Sequence, residues 1–291
     1  MKATYKQFPG LTFLKSEKEF KKLIDACETR YLCGDCPEEE KIRFEEEDLH
    51  IIRNNVFYVS NSYIKAVNAS EKAITPLMGA VSLDNKFVIM APAVISEYIS
   101  DTCGVFIRKG TDHTVIFSYV YYKIINGRFL IVSWTDIPAE NLMYLNGICI
   151  QTTIPGKRWL GIDGFAIEKD GEHNTTEVIN SDLDTLIASL LFKKYAEIEI
   201  NFVDVINTSN KPKNMCKSLA LQNTPVDFQI TKLSTDWYTE IIRTEGFAVS
   251  GHWRLQPYAN GEKKLIFINP FMKHGYHRRA KLQIEREQEK K

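Results

Sequence analysis

Two strand-like runs on either side of an Asn-Gly pair constrain the fold more than any other feature of the chain. Residues 115–125 and 129–134 are rich in β-branched and aromatic side chains, and Asn126-Gly127-Arg128 joins them. Asn and Gly adopt positive φ at low cost, and the tight turns of two-stranded hairpins require such angles. The sequence therefore predicts an antiparallel β-hairpin in the middle of the chain.

Helical patterns precede this hairpin. Ser16 is followed three residues later by Glu19, which is a capping box, and apolar residues continue at helical spacing to Cys27. Pro92 opens a second apolar run, in the first turn of a helix where its missing N–H costs nothing. These signals predict one helix from Ser16 and another from Pro92.

A third helix is predicted after the hairpin. Ser181 has the chemistry of an N-cap, Asp184 falls at the third helical position, and leucines and an isoleucine over residues 183–191 form a wide apolar stripe. Shorter strand candidates are residues 56–59, 86–90 and 158–167. Because hairpins imply antiparallel pairing and strands do not alternate regularly with helices, the predicted class is α+β, an antiparallel sheet with flanking helices and a C-terminal β-hairpin module.

A polar segment without periodicity follows the third helix and marks the predicted domain boundary. Residues 207–217 read NTSNKPKNMCK and include Pro212. The predicted organisation is an α+β body over residues 1–206, a linker at 207–217, a basic hairpin module over 218–282 and a charged tail at 283–291.

The charge is unevenly distributed although its formal sum is zero. Residues 15–49 hold twelve acids against seven Lys or Arg, whereas residues 252–291 hold ten Lys or Arg against four acids. A basic end suits a nucleic acid or an acidic protein surface, and an acidic beginning argues against wrapping of nucleic acid by the whole protein.

The cysteine pattern and the hydropathy indicate a cellular location. The six cysteines are scattered, the first residues lack the apolar stretch of a secretory signal, and no window approaches the roughly 18 consecutive apolar residues of a membrane span. We expect reduced thiols, no membrane partner, and a location in the cytoplasm of a bacterial or phage-infected host cell.

Possible metal and acid/base groups have simpler structural explanations. Cys33 and Cys36 have the spacing of half a zinc site, with Cys27 and His50 as conceivable further ligands, but a second close ligand pair is missing, and a tight turn with incidental thiols is favoured. Two aspartates near predicted strand ends, Asp136 and Asp163, suit either acid/base work or a turn.

The sequence contains no P-loop, no GxGxxG after a strand, no GxSxG and no HExxH. The prediction is a chain without metal or cofactor, with the question of enzymatic activity leaning towards none.

The segment that most resembles a functional site begins near His252. A strand over residues 251–256 would place His252, Arg254 and Gln256 on one face and Trp253 with Leu255 on the other. Residues 257–261 form the predicted turn, and residues 264–268 the return strand.

Cations, imidazoles and aromatic rings are concentrated on this hairpin and its exit. The candidate nucleic-acid or partner-binding residues are His252, Arg254, Gln256, Tyr258, Lys263, Lys264, Lys273, His274, His277, Arg278 and Arg279. One interpretation is that Arg side chains grip phosphates while Tyr258 or Phe271 stacks on a base.

Two further interpretations of this segment stay open. The first is a toxin-like or antiviral, metal-independent ribonuclease, with His252, Arg254, His274 and His277 as acid, base and cation. In the second, His252 and Arg254 satisfy buried acceptors while the other cations face water, as in a structural or protein-binding chain.

At these residues the chain resembles a family of phage and mobile-element proteins that includes a type V-A anti-CRISPR acting on biogenesis of the Cas nuclease. The resemblance rests on a Gly-His-Trp-Arg-x-Gln-Pro-Tyr core at residues 251–258, a Pro-Phe-x-Lys-x-Gly ending at residues 270–275, and the Leu-rich helix upstream. It implies a non-enzymatic interaction protein that recognises a host or competitor protein, or a nascent peptide on the ribosome, with RNA as a further partner of the hairpin.

Overall fold

The computed structural model describes a set of segments that cover most of the body and the core of the C-terminal hairpin. The described residues are 2–33, 36–74, 82–83, 87–88, 102–110, 117–137, 142–151, 158–161, 175–196, 198–210, 216–235, 248–249, 252–258, 263–269 and 271–272. The predicted helix from Pro92 and the charged tail lie outside the described residues.

The described α-helices are α1 (Glu17–Cys33), α2 (Asp48–Asn54), α3 (Asn61–Ile74), α4 (Thr175–Tyr195) and α5 (Lys217–Gln222). The first confirms the prediction from the capping box, because the Glu19 N–H donates to Ser16 Oγ at 3.3 Å. The carboxylate of Glu19 binds Lys22 at 2.7 Å. Phe20, Leu23 and Cys27 are buried, as the spacing predicted.

The predicted start of the third helix is wrong. Helix α4 begins at Thr175, so Ser181 and Asp184 lie in its interior. Ile179 is fully buried in the core, and its burial holds the N-terminal part of the helix in place. A sequence reading that stops at the first cap-like residue misses turns that tertiary packing stabilises.

Nine strands form the main sheet, in the order β1-β10-β11-β2-β5-β6-β7-β8-β9. Their bounds are β1 (Lys2–Thr4), β2 (Val56–Val59), β5 (Thr102–Lys109), β6 (Phe117–Ile125), β7 (Arg128–Ile137), β8 (Leu142–Gln151), β9 (Arg158–Gly161), β10 (Glu199–Ile206) and β11 (Val226–Ser234). Two-stranded ribbons pair β3 (Ser82–Leu83) with β4 (Phe87–Val88), β12 (Ala248–Val249) with β15 (Phe271–Met272), and β13 (His252–Pro257) with β14 (Lys263–Ile268).

The central hairpin is confirmed. Strands β6 and β7 pair antiparallel up to Ile125 and Arg128, so the loop is Asn126 and Gly127 alone. Both residues have positive φ, 49° and 71°, which is the backbone of a type I′ turn. Arg128, predicted as part of the connection, is the first residue of β7.

The α+β class is confirmed, with a mostly antiparallel sheet that also contains parallel pairs. The parallel pairs are β1 with β10, β11 with β2, and β2 with β5. Predicted strands at 56–59, 86–90 and 158–167 correspond to β2, to β4 and to β9, the last two shorter than predicted among the described residues.

The sheet carries a separate hydrophobic core on each face. One core joins strand residues such as Phe106 and Ile131 to α3 and α4. The other joins Val105 and Tyr121 to α1, α2 and the 3₁₀ helix Pro9–Leu14. Because successive residues of a strand point to opposite faces, alternate positions of β5 and β6 supply the two cores.

The segment predicted as a linker joins two paired strands. Strand β10 ends at Ile206 and β11 begins at Val226, and the two pair antiparallel over most of their lengths. Residues 226–234 therefore belong to the same nine-stranded sheet as β1, β2 and β5 to β10, while the predicted domain bounds stay a prediction. Within the described residues, the ribbon of β3 and β4 and the two ribbons after residue 247 stand apart from this sheet.

Candidate functional site

The predicted C-terminal hairpin is present and longer than the sequence indicated. Strands β13 and β14 pair antiparallel from His252 opposite Ile268 to Pro257 opposite Lys263. Strands β12 and β15 continue the same register, with Val249 opposite Phe271. Pairing therefore resumes beyond Pro270, a residue without an N–H to donate, and extends past the return strand predicted at residues 264–268.

This ribbon lies against the helical layer on one face of the sheet. Strand β13 contacts α3, and β14 contacts α4. Tyr258 directly follows the last residue of β13 and is 46% exposed. Lys263 and Lys264 stand opposite Pro257 and Gln256 in the register, so both cations lie at the turn end of the ribbon.

One face of the ribbon is less polar than predicted. Directly opposed residues of an antiparallel pair share a face, and so do alternate residues of one strand. Gln256 therefore lies on the same face of the ribbon as Ile266 and Ile268. All three side chains are partly buried. The face predicted to present a row of hydrogen-bonding groups therefore includes apolar residues.

The other candidate residues fall into two groups. His252 and Arg254 occupy strand positions in β13, as predicted. The five at the exit, Lys273, His274, His277, Arg278 and Arg279, lie outside the described residues. Convergence of the imidazoles and Arg254 on one cleft stays a prediction.

A buried polar cluster that the sequence analysis missed lies between α4 and strands β5, β7 and β8. The carboxylate of Asp182 accepts hydrogen bonds from the guanidinium of Arg108 and from Ser133 Oγ. Asn146 Nδ2 donates to Ser133 Oγ at 2.8 Å and to Thr135 Oγ1 at 2.9 Å. The cluster sits at a β-bulge, because the register of β7 and β8 shifts between Ser133 and Trp134.

Electrostatics in this cluster are set by burial. Asp182 is fully buried, and desolvation raises the pKa of its carboxyl, while Arg108 and Ser133 act in the opposite direction. Ser133 is also fully buried. A serine bonded to an aspartate suggests a nucleophile, but no substrate reaches a hydroxyl without exposed surface, so the arrangement fixes α4 on the sheet.

The signal for this cluster was an aspartate directly before an apolar stripe. Asp182 directly precedes Leu183, and the residues that neighbour Asp182 on the helix are almost all buried. A charge at such a position needs a partner, because an isolated buried carboxylate is costly. The identity of that partner, 74 residues away in sequence, depends on the fold.

A second buried ion pair ties α2 to the opposite face of the sheet. Lys123 Nζ lies 2.7 Å from Asp48 Oδ2, and the same carboxylate oxygen accepts from the Glu45 N–H at 2.8 Å. The thiol of Cys103 lies 3.7 Å from Asp48 Oδ1. Burial raises the pKa of this thiol to about 12, so it is an inert structural cysteine at neutral pH.

Of the weaker sequence candidates, Cys33 has a side chain outside the described ones, and the others do not form a site in the described part of the chain. Cys27 and Cys36 are buried, and His50 is exposed on α2. Asp136 is buried, and its carboxylate accepts the Phe117 N–H across the β6–β7 pair. Asp163 lies outside the described residues. Among those described, no three His, Cys, Asp or Glu side chains are grouped to hold a metal ion.

Comparison with known proteins gives no match: no family model, no curated protein and no solved structure matches the chain. In the described segments, every helix is too short or too polar to span a bilayer.

Proposed function

We propose that this protein is a non-enzymatic interaction protein of the phage and mobile-element type that its C-terminal motif resembles, and that its C-terminal ribbon binds a protein or nascent peptide. The observation that carries the proposal is the turn end of the ribbon. There an aromatic side chain, Tyr258, is 46% exposed next to the strand positions of Lys263 and Lys264.

The chemistry of this end suits recognition. Tyrosine supplies a large contact area with few rotatable bonds and is enriched among the residues that dominate binding energy. Lysines beside it attract acidic groups and steer association. Contact of β13 with α3 and of β14 with α4 supports the ribbon from behind, so little order has to be gained on binding.

The buried polar clusters support a role without catalysis. Ser133, Asp182 and Cys103 are all buried and bonded within the fold. We therefore assign partner binding to the ribbon rather than to these buried groups.

The test is affinity capture from lysate of a bacterial host with the tagged full-length chain. We expect one specific protein to be recovered, with recovery at least tenfold lower for Tyr258→Ala and for the double variant Lys263→Glu/Lys264→Glu. Leu32→Ala is the matched control, because Leu32 is an exposed apolar residue on α1, 77% exposed, and its loss leaves the ribbon intact.

Nuclease treatment of the lysate separates the two kinds of partner. Recovery that survives nuclease indicates a protein or peptide, and recovery that disappears indicates RNA. Purified protein is expected to leave RNA intact. Cleavage that is lost in His252→Ala, or capture of nothing specific by the wild type, would overturn the proposal.

A further inference from the structure

One edge of the nine-stranded sheet is left partly unpaired among the described residues. Strand β10 pairs with β11 from Glu199 to Ile206 on one side. On its other side β1 covers only Asp204, Val205 and Ile206. Residues 199–203 therefore present their outer backbone N–H and C=O groups without a neighbouring strand in the described part of the chain.

The same stretch carries the most exposed apolar side chains of the described strands. Phe202 is 57% exposed and Ile200 is 48% exposed. They are two residues apart and so lie on one face, where Ile198 packs partly against the core of α3 and α4. An apolar strip thus runs from the core to the open edge.

The stretch has little of the usual protection of sheet edges, since Glu199 is its single charged residue. Proteins protect such edges with lysine, proline, bulges or a covering element. Residues 199–203 read Glu-Ile-Asn-Phe-Val, without lysine, arginine or proline. The bulge in the β10–β11 pair lies further on, between Val205 and Ile206.

The order of residues in the unpaired stretch allows it to pair with a second copy of itself. It is five residues long and centred on Asn201, with Ile200 and Phe202 on either side. In an antiparallel pair of two such strands centred on Asn201, each Ile200 stands opposite Phe202 of the other copy. Glu199 then stands opposite Val203, so like charges do not meet.

We infer that β10 pairs antiparallel with β10 of a second copy of this chain, around a two-fold axis at Asn201. The two Ile–Phe pairs are of the aromatic with β-branched type that stabilises neighbouring strands. An interface in which the same patch serves both copies closes as a dimer and leaves this edge covered. Strand β1 limits the pairing to five residues on each side.

The short pairing sets the expected affinity. Five paired residues bury less than the roughly 1,200 Å² of stable complexes, so association in the micromolar range is expected. Sedimentation of the full chain should show a concentration-dependent dimer. Phe202→Lys should weaken dimerisation at least tenfold without loss of helical circular dichroism, because Phe202 is exposed.

A cysteine at the axis tests the register. In a Cys216→Ser background, Asn201→Cys places two thiols on opposed residues, whose Cα atoms are about 4.5–5.5 Å apart, within reach of a disulfide. Glu199→Cys is the matched control on the same strand. Its two copies are offset by four residues, about 13 Å, and are too far apart to bridge.

Rapid disulfide-linked dimer formation by Asn201→Cys, at least tenfold faster than by Glu199→Cys, is the expected result. Equal rates for the two variants, a monomer at several hundred micromolar, or a dimer that persists in Phe202→Lys would overturn the inference. So would capture of an extended peptide of another protein at this edge by a chain that stays monomeric. Capture through Tyr258 is unaffected by any of these outcomes, so this test and that of the proposed function fail independently.

Discussion

Arg108, near the end of β5, donates a hydrogen bond to the buried carboxylate of Asp182 in the interior of α4. The arginine side chain is 26% exposed, whereas the aspartate has no exposed surface. The two partners are therefore unequal, because only the arginine can be solvated when the pair is broken.

Arg108→Ala is expected to destabilise the protein by roughly 3–5 kcal/mol at pH 8, because it leaves a carboxylate buried without its counter-ion. Asp182→Asn should cost less, since the amide still accepts from Ser133 and Arg108 turns to water. Urea unfolding at a fixed pH measures both changes. Equal losses of stability in the two variants would contradict the conclusion that only Arg108 can be solvated when the pair is broken.

The loss in free energy of unfolding caused by Arg108→Ala should become smaller as the pH falls. Burial raises the pKa of Asp182 and Arg108 opposes this rise, so removal of the arginine lets the pKa in the folded state rise further. A folded state that binds the proton more tightly than the unfolded chain loses stability as pH rises through that pKa. Urea midpoints between pH 5 and pH 8 check the sign, and Asp182→Asn should lack this dependence.

Gly104→Ala is expected to cost about 2–4 kcal/mol through overpacking. A Cβ at this position would lie 2.4 Å from Asn55 O and 2.7 Å from the Tyr122 hydroxyl. Asn55 O also accepts the Val105 N–H at 2.9 Å, so the carbonyl cannot withdraw without loss of that bond. Thermal unfolding of Gly104→Ala with Tyr122→Phe should recover only part of the loss, because the carbonyl contact remains; full recovery would assign the clash to the hydroxyl alone.

Gly127→Ala should destabilise the central hairpin by about 1–2 kcal/mol, because a φ of 71° strains any residue with a Cβ. Asn126→Gly, at the other turn position, is the control for backbone strain and should cost less than Gly127→Ala, since glycine adopts the φ of 49° without strain. Chemical denaturation of both variants provides the comparison, and a larger loss for Asn126→Gly would contradict a type I′ turn.

Cys216 should react with iodoacetamide at pH 8 at least tenfold faster than Cys103. Cys216 is exposed, whereas Cys103 is buried and burial raises its pKa to about 12, so almost none of the reactive thiolate is present. Mass spectrometry of the tryptic peptides measures both sites in one sample. Equal alkylation rates of Cys216 and Cys103 in the folded protein would show that β5 opens readily. In urea, where both thiols are accessible, we expect equal rates, which serves as the control.

Local patterns determined the parts of this protein that local physics controls. The helix start at Ser16, the hairpin turn that contains Asn126 and Gly127, and the strand at His252 follow from capping, positive φ and alternation. Each of these depends on residues within a few positions of one another. The sequence therefore predicted them, and with them the α+β class.

The tertiary structure decided which distant residues meet. Strand β11 enters the sheet between β10 and β2, across a segment that looks like a linker, because its apolar residues complete the two cores. Helix α4 starts six residues before its cap-like serine because Ile179 is buried. The partner of Asp182 and the unpaired edge beside Ile200 and Phe202 depend on strand order, and strand order is set by burial over the whole chain rather than by any short stretch of it.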